Sequence, residues 1–161
     1  MDPRVLGKIV SGGQTGVDRA VLDAALDLGM PCGGWCPKGR LAEDGVIPSR
    51  YPLTETHSSK YPFRTAYNVR DSDATLILTR GEPTGGTALT AHLAASYRKP
   101  LWVVDLQQGL AVKPVVEWIT RRPAVQVLNV AGPRESQCPG IYSQAYTYLQ
   151  ALLQQFIPPP D

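Results

Sequence analysis

Two segments carry the residue types that hold an anion at a strand-to-helix turn: Ser11-Gly12-Gly13-Gln14-Thr15-Gly16 and Thr84-Gly85-Gly86-Thr87. Glycine lets the backbone come close to a ligand. The first amides of the following helix then face it, backed by the positive end of the helix dipole. Ser11 and Thr15 add hydroxyl donors to the first turn. That turn differs from the dinucleotide fingerprint, and no Gly-Lys-Ser/Thr ending marks a nucleotide-hydrolysing P-loop. Taken alone, such a turn is a weak signal and is also readable as a tight connection without a ligand; two at one sheet edge weigh against that. Arg19 is unusual at the positive end of a helix and points to an anion or a partner carboxylate. Asp18 beside it either complements the helix start or reaches a ligand.

A third segment, Gly33-Gly34-Trp35-Cys36-Pro37-Lys38-Gly39-Arg40, puts two cations, a thiol and an indole in one glycine-rich stretch. Lys38 and Arg40 are placed to reach phosphate and Trp35 to cover a planar ring. The alternative is a solvated basic loop with Trp35 plugging the core. Glu43 and Asp44, just behind the cations, are the best candidates for acid or base chemistry, although loop carboxylates are usually only solvated. Cys32 and Cys36 lack the second pair that zinc needs, and His57 and His92 do not stand at metal-ligand spacing. A buried thiol is the expected state of both cysteines, and packing the expected role of His92. No metal site is expected.

These segments need elements to position them. A strand over 8–11 runs into the first glycine turn, and apolar Val17, Val21, Leu22, Ala25 and Leu28 recur at helical spacing before Gly29 and Pro31. Residues 31–59 show no sustained period and are read as a long functional loop. Further along, the pattern predicts a helix over 61–69, a strand over 74–78, a helix over 88–97 and a strand over 101–104. It continues with a helix over 112–121, a strand over 125–130 and a closing helix over 142–156. Strands alternating with helices imply parallel crossovers: an α/β fold, doubly wound and Rossmann-like, with helices on both faces of a mainly parallel sheet. Residues 1–161 are expected to form one ligand-binding domain, with 157–161 a flexible tail.

The bulk composition is ordinary for a globular protein, with 43% hydrophobic and 19% charged residues. Sixteen basic and 14 acidic side chains leave a formal charge of +2, too little to indicate nucleic-acid binding. Three cysteines do not make a disulfide framework, no signal peptide is visible, and no apolar run approaches the roughly 20 residues of a membrane span. A soluble cytoplasmic protein without a membrane partner is the expectation.

The stretch Ser11-Gly-Gly-Gln-Thr-Gly-Val-Asp-Arg19 is followed by Gly34-Trp-Cys-Pro-Lys-Gly-Arg40, Ala42-Glu-Asp-Gly45, Ile47-Pro48 and Tyr51-Pro-Leu-Thr-Glu-Thr56. With Tyr61, Arg64-Thr65, Asn68-Val69, Ser72-Asp-Ala-Thr75 and Gly85-Gly-Thr87, this series resembles the molybdenum carrier family over residues 7–131. The resemblance implies a Rossmann-like fold related to lysine-decarboxylase-like and nucleoside-phosphate-binding proteins. It also implies a homo-oligomer, such as a tetramer, that stores the molybdenum cofactor (molybdopterin) and delivers it to molybdoenzymes. Carried over by position, Ser11, Gly12, Gly13, Thr15, Gly16 and Arg19 would form the phosphate floor. Gly85, Gly86 and Thr87 would be a second wall, and Trp35, Lys38 and Arg40 a third. A nucleotide-binding or nucleotide-sensing protein is the alternative, or a nucleoside-phosphate hydrolase. The related hydrolases carry Pro-Gly-Gly-x-Gly-Thr with a glutamate soon after; this chain has Pro83-Thr84-Gly85-Gly86-Thr87 and no such carboxylate. The expectation is therefore a carrier that holds its ligand without cleaving it.

Overall fold

The computed structural model describes residues 6–121 and 125–158. In chain order the elements are β1 (Lys8–Val10), α1 (Val17–Leu28), β2 (Cys32–Gly33), β3 (Trp35–Cys36), β4 (Leu41–Ala42), β5 (Gly45–Val46), β6 (Thr54–Glu55) and α2 (Tyr61–Arg70). They continue with β7 (Ala74–Thr79), α3 (Gly85–Ser96), β8 (Leu101–Asp105), α4 (Lys113–Arg121), β9 (Val127–Ala131) and α5 (Ile141–Gln154). The last three residues of the expected tail lie outside the described residues.

Five strands make one parallel sheet in the order β2-β1-β9-β7-β8. The last strand in sequence is thus the central one: Val10 stands opposite Asn129 and Ile77 opposite Ala131. Chain progression leaves β1 towards β2 and leaves β7 towards β8. The crevice of an open sheet lies where such directions diverge, beyond the carboxyl ends of the strands. Here those ends belong to β1, β9 and β7, and the segments 11–16, 132–140 and 80–84 leave from them.

Alternation along β7 divides the two faces. Leu76 and Leu78 join the apolar core with Val17, Ala20, Val21 and Ala24 of α1, Val115 and Ile119 of α4, and Ala145, Leu149 and Leu152 of α5. The small side chains of α1 let α5 pack closely against it. The other face, under α2 and α3, holds a buried polar layer: Thr65, Asn68, Thr75, Thr87, Thr90 and Asn129. Asn129 Nδ2 donates to Thr75 Oγ1 within it.

Two expectations about elements change. Segment 31–59 is not an open loop: β2 joins the main sheet, β3 pairs with β6, and β4 pairs with β5. Strands of two residues are too short to show alternation, so no periodicity marked them. Helix α3 begins at Gly85, three residues before the expected start, which places both glycines of the second turn inside its first turn. Gly29 ends α1 in the left-handed conformation, as its position predicted.

Candidate functional site

The first glycine turn is covered by the protein itself. Gly13 N donates to Ser11 Oγ, Gln14 N to Asp18 Oδ2 and Thr15 N to Gln14 Oε1. Val17 N donates to the Pro133 carbonyl. A Cβ on Gly12 would stand 1.8 Å from Arg64 Nη1, and one on Gly16 would stand 2.2 Å from the Pro133 carbonyl. These glycines make room for protein atoms, and the amides of Gly13, Gln14, Thr15 and Val17 in the expected anion floor are already bonded. What Gly12 seats is itself a cation. Arg64, from α2, lies in the gap and donates to Asp18 Oδ2 at 2.8 Å. Burial pushes the Asp18 carboxyl up, against the opposing pull of Arg64.

The second turn is open. A cleft of about 270 Å³ lies beyond the carboxyl ends of the central strands. Gln14 and Asp18 form one side, Tyr61, Arg64 and Thr65 of α2 another, Gly86, Thr87 and Thr90 of α3 a third, and Gly132, Arg134 and Gln137 the last. No side chain caps the start of α3, and a Cβ at Gly86 would meet nothing within 4 Å. The first amides of a helix lack intrahelical acceptors. Gly86 therefore presents bare backbone to the cleft without any packing need for a glycine. Across from it, the Tyr61 ring lies under two guanidiniums, with Arg134 Cζ at 4.6 Å and Arg64 Cζ at 5.6 Å from its centre. Arg64 has the Asp18 carboxylate as counterion. Arg134 has no ion-pair partner among the described residues.

Two buried side-chain donors at this cleft have no hydrogen-bond partner, Gln14 Nε2 and Arg64 Nε. Beside Arg64 a polar cavity of about 10 Å³, lined by Asp18, Asn68, Thr90 and Asn129, has the size of one water. Gln14 lines the cleft proper, with its Nε2 sealed beneath the surface.

The other expected residues go elsewhere. Thr15, Gly16, Arg19, Glu43 and Asp44 line a wider groove of about 660 Å³ on the far side of the 132–137 strap. Its polar groups satisfy one another. Arg19 is bidentate to Asp44 at 3.0 and 3.1 Å and also donates to the Gly13 carbonyl. Glu43 accepts from Thr15 Oγ1 at 2.7 Å and Ser136 Oγ at 2.6 Å. Arg19 holds the Asp44 carboxyl below its usual range. Burial works against the same shift in Glu43, but the bonds from Ser136 and Thr15 prevail and lower it. Both carboxylates are engaged in these ties, in the groove and not in the cleft. Asp23 on the same wall accepts from Tyr51, Tyr142 and Arg50. Burial and this acceptor push the Tyr51 hydroxyl up to about 12.

The third wall does not form either. Trp35 donates its indole N–H to Asp71 and lines a separate hollow with Lys8 and Asn68. Arg40, in the left-handed region at φ 55°, spends its guanidinium on the carbonyls of Ile47, Pro48, Tyr51 and Leu53, pinning the loop. Lys38 is exposed and lines none of the three hollows. Ser11 is buried and donates to the Asp18 carbonyl. Cys36 is fully buried with Leu22, Ile47 and Tyr51, and burial raises its thiol. His92, expected to pack, is exposed on α3. The described residues gather no group of three or more His, Cys, Asp or Glu that could hold a metal, and no described helix is long and apolar enough to cross a membrane.

Arg64, Arg134, Tyr61 and Gln14 were not singled out as site residues by the sequence. Gly132-Pro133-Arg134 carried a usable signal, since it is another glycine-bearing exit from a strand. Arg64 stood in the series that carries the family resemblance, but no local pattern gave it a role, because its seat at Gly12 is 52 positions away in the chain.

The model of the circularly permutated YpsA SLOG family matches residues 9–153. A solved crystal structure from Syntrophus aciditrophicus SB, named "Putative molybdenum carrier protein", is 45% identical. The match covers 92% of this chain and 95% of that one, with a TM-score of 0.88. No curated protein is significantly similar.

Proposed function

Because the chain belongs to the circularly permutated YpsA SLOG family, we propose that it is a carrier whose cleft holds an anionic, phosphate-bearing cargo, the molybdenum cofactor. The observation that carries this reading is the uncapped start of α3 at Gly86, facing the cation Arg134 across one cleft. A phosphate there accepts hydrogen bonds from the first amides of α3 and from a guanidinium, each worth about 1.5–3 kcal/mol when charge-assisted. The carrier role and the molybdenum come from the name of the 45% identical protein. In this reading Gly86 and Thr87 are contacts, with Gln14, Arg64 and Arg134 in place of the middle loop; Gly85 does not line the cleft. No acid or base is assigned, since the one carboxylate lining the cleft, Asp18, is tied to Arg64.

As a carrier, the protein passes its cargo to molybdoenzymes. Self-association is supported by the uncovered edge strand β8, where Val103 is 41% exposed, and by Leu110 beyond it at 58%. The test is co-purification of a fluorescent oxidised pterin with the wild-type chain and its loss with Arg134→Ala. Absence of pterin, together with no thermal stabilisation by a pterin phosphate, overturns the reading. Stabilisation by nucleoside phosphates alone would favour the nucleotide-binding alternative.

A further inference from the structure

The 132–137 strap divides the two hollows, and its residues alternate between them. Gly132, Arg134 and Gln137 line the cleft, while Glu135 and Ser136 line the groove. On the groove side the strap is tied to the turn between β4 and β5 and to the first glycine turn. The Glu43 carboxylate accepts from Ser136 N at 3.2 Å and from Ser136 Oγ at 2.6 Å. It also accepts from Thr15 Oγ1 at 2.7 Å, and that hydroxyl oxygen in turn accepts from Glu135 N at 3.2 Å. Glu43 is steadied from behind: its own amide donates to Gln14 Oε1 at 2.8 Å, and its neighbour Asp44 is paired with Arg19. On the other flank of Arg134, the Pro133 carbonyl accepts from Val17 N at 3.2 Å. Arg134 therefore leaves the chain between two anchored points, one set by α1 and one by Thr15 and Glu43.

Its side chain has no comparable hold. Arg134 has no ion-pair partner among the described residues and rests on the Tyr61 ring, a weak attachment for a half-buried cation. Arg64, over the same ring, is fixed differently. It is seated at Gly12 and paired with Asp18 at 2.8 Å. The place of Arg134 thus depends on the backbone that carries it, and the place of Arg64 does not.

We infer that Glu43 and Thr15 are positioning residues for the cleft: from the groove they fix the strap at 135–136, and so hold Arg134 over Tyr61, across from the start of α3. This deepens the carrier reading and rests on it only for the ligand. The exposed carboxylate of one hollow sets the cation of the other.

Nuclear Overhauser contacts in the isotope-labelled full chain test the positioning without a ligand. The wild type is expected to show contacts to the Tyr61 ring from both the Arg134 and the Arg64 side chains. Glu43→Ala is expected to lose about half or more of the Arg134 contact intensity and to keep that of Arg64. Thr15→Val removes the bridging hydroxyl, keeps the backbone bond to Gln14, and is expected to do the same; it serves if the alanine variant does not fold. Retention of both sets of contacts, or loss of both, overturns the role. Calorimetric titration with inorganic phosphate and with a pterin methyl phosphate reads the consequence. Glu43→Ala is expected to lower the affinity for whichever probe binds roughly three- to tenfold. In the Arg134→Ala background the same change is expected to cost less than about 1.5-fold, since a residue acting through another has no effect once the other is gone. Equal falls in both backgrounds, or no fall in either, overturn the inference and leave the carrier reading standing. A wild type that binds neither probe overturns the carrier reading, and the Tyr61 contacts then decide the positioning role by themselves.

Discussion

The two glycine turns look alike in sequence and have opposite surroundings. At 12–16 each glycine gives way to another part of the chain: the Arg64 guanidinium over Gly12, side chains of Leu53 and Ile47 over Gly13, and the 133–135 backbone over Gly16. At 85–86 the space a side chain would take is empty. A glycine pressed by its own protein is explained by packing. A glycine facing open space within a helix costs up to about 1 kcal/mol against alanine, and packing gives it no return. The difference is that the first turn is closed by the protein, while the second is left open, where the proposed function puts the ligand.

Gly16→Ala should show the largest effect. Its Cβ meets backbone, which cannot move aside, at a φ of 77°. Left-handed strain and overpacking together predict a loss of about 3 kcal/mol, read as a fall in melting temperature. A variant as stable as the wild type would break the comparison at its first half. Arg134→Ala should come next: a ten- to hundredfold loss of phosphate-ligand affinity, with stability lowered by no more than about 1 kcal/mol, since the side chain loses its stack on Tyr61 but no ion pair. Gly86→Ala sharpens the contrast directly. It should leave stability unchanged or raise it by up to about 1 kcal/mol while lowering affinity several-fold, by calorimetry. Affinity equal to the wild type would remove the ligand from the second turn.

The smallest expected effect is on pH. The Glu43 and Asp44 carboxyls are held below their usual 4.5 and 3.8 in the folded state. Their contribution is therefore complete above those values and is lost as pH falls through the lowered folded ones. Both groups are largely exposed, so the loss is local and not global unfolding. Amide exchange at Glu135 and Ser136, whose N–H groups donate to Thr15 Oγ1 and Glu43, should lose protection below about pH 4. Glu43→Gln should show the same loss at neutral pH.

The order of strands and helices was legible because β7 and β9 are apolar runs and α1 and α5 keep helical spacing. The sheet edge at 32–33 was not, since two residues cannot display a period. Among the residues lining the cleft, Gly86 and Thr87 were legible from local composition, as a turn feeding a helix. Arg40 and Arg19 carried the right chemistry for an anion. Their guanidiniums are instead claimed by carbonyls of residues 47–53 and by Asp44, partners set by tertiary approach. Composition names a cation; it does not say which acceptor reaches it first.

The position of β9 has a consequence for how the chain folds as it is made. Until residues 127–131 exist, β1 and β7 have no common neighbour, and each presents an open edge. The ladders at Val10–Asn129 and Ile77–Ala131 join segments separated by 119 and 54 positions, so their loop-closure entropy is met before any reward arrives. The emerging chain therefore holds two unjoined half-sheets through most of its synthesis, with strand edges exposed to aggregation. The same late strand brings Arg134 to the cleft, so a nascent chain acquires its central sheet and this cation of the cleft wall in a single closing event.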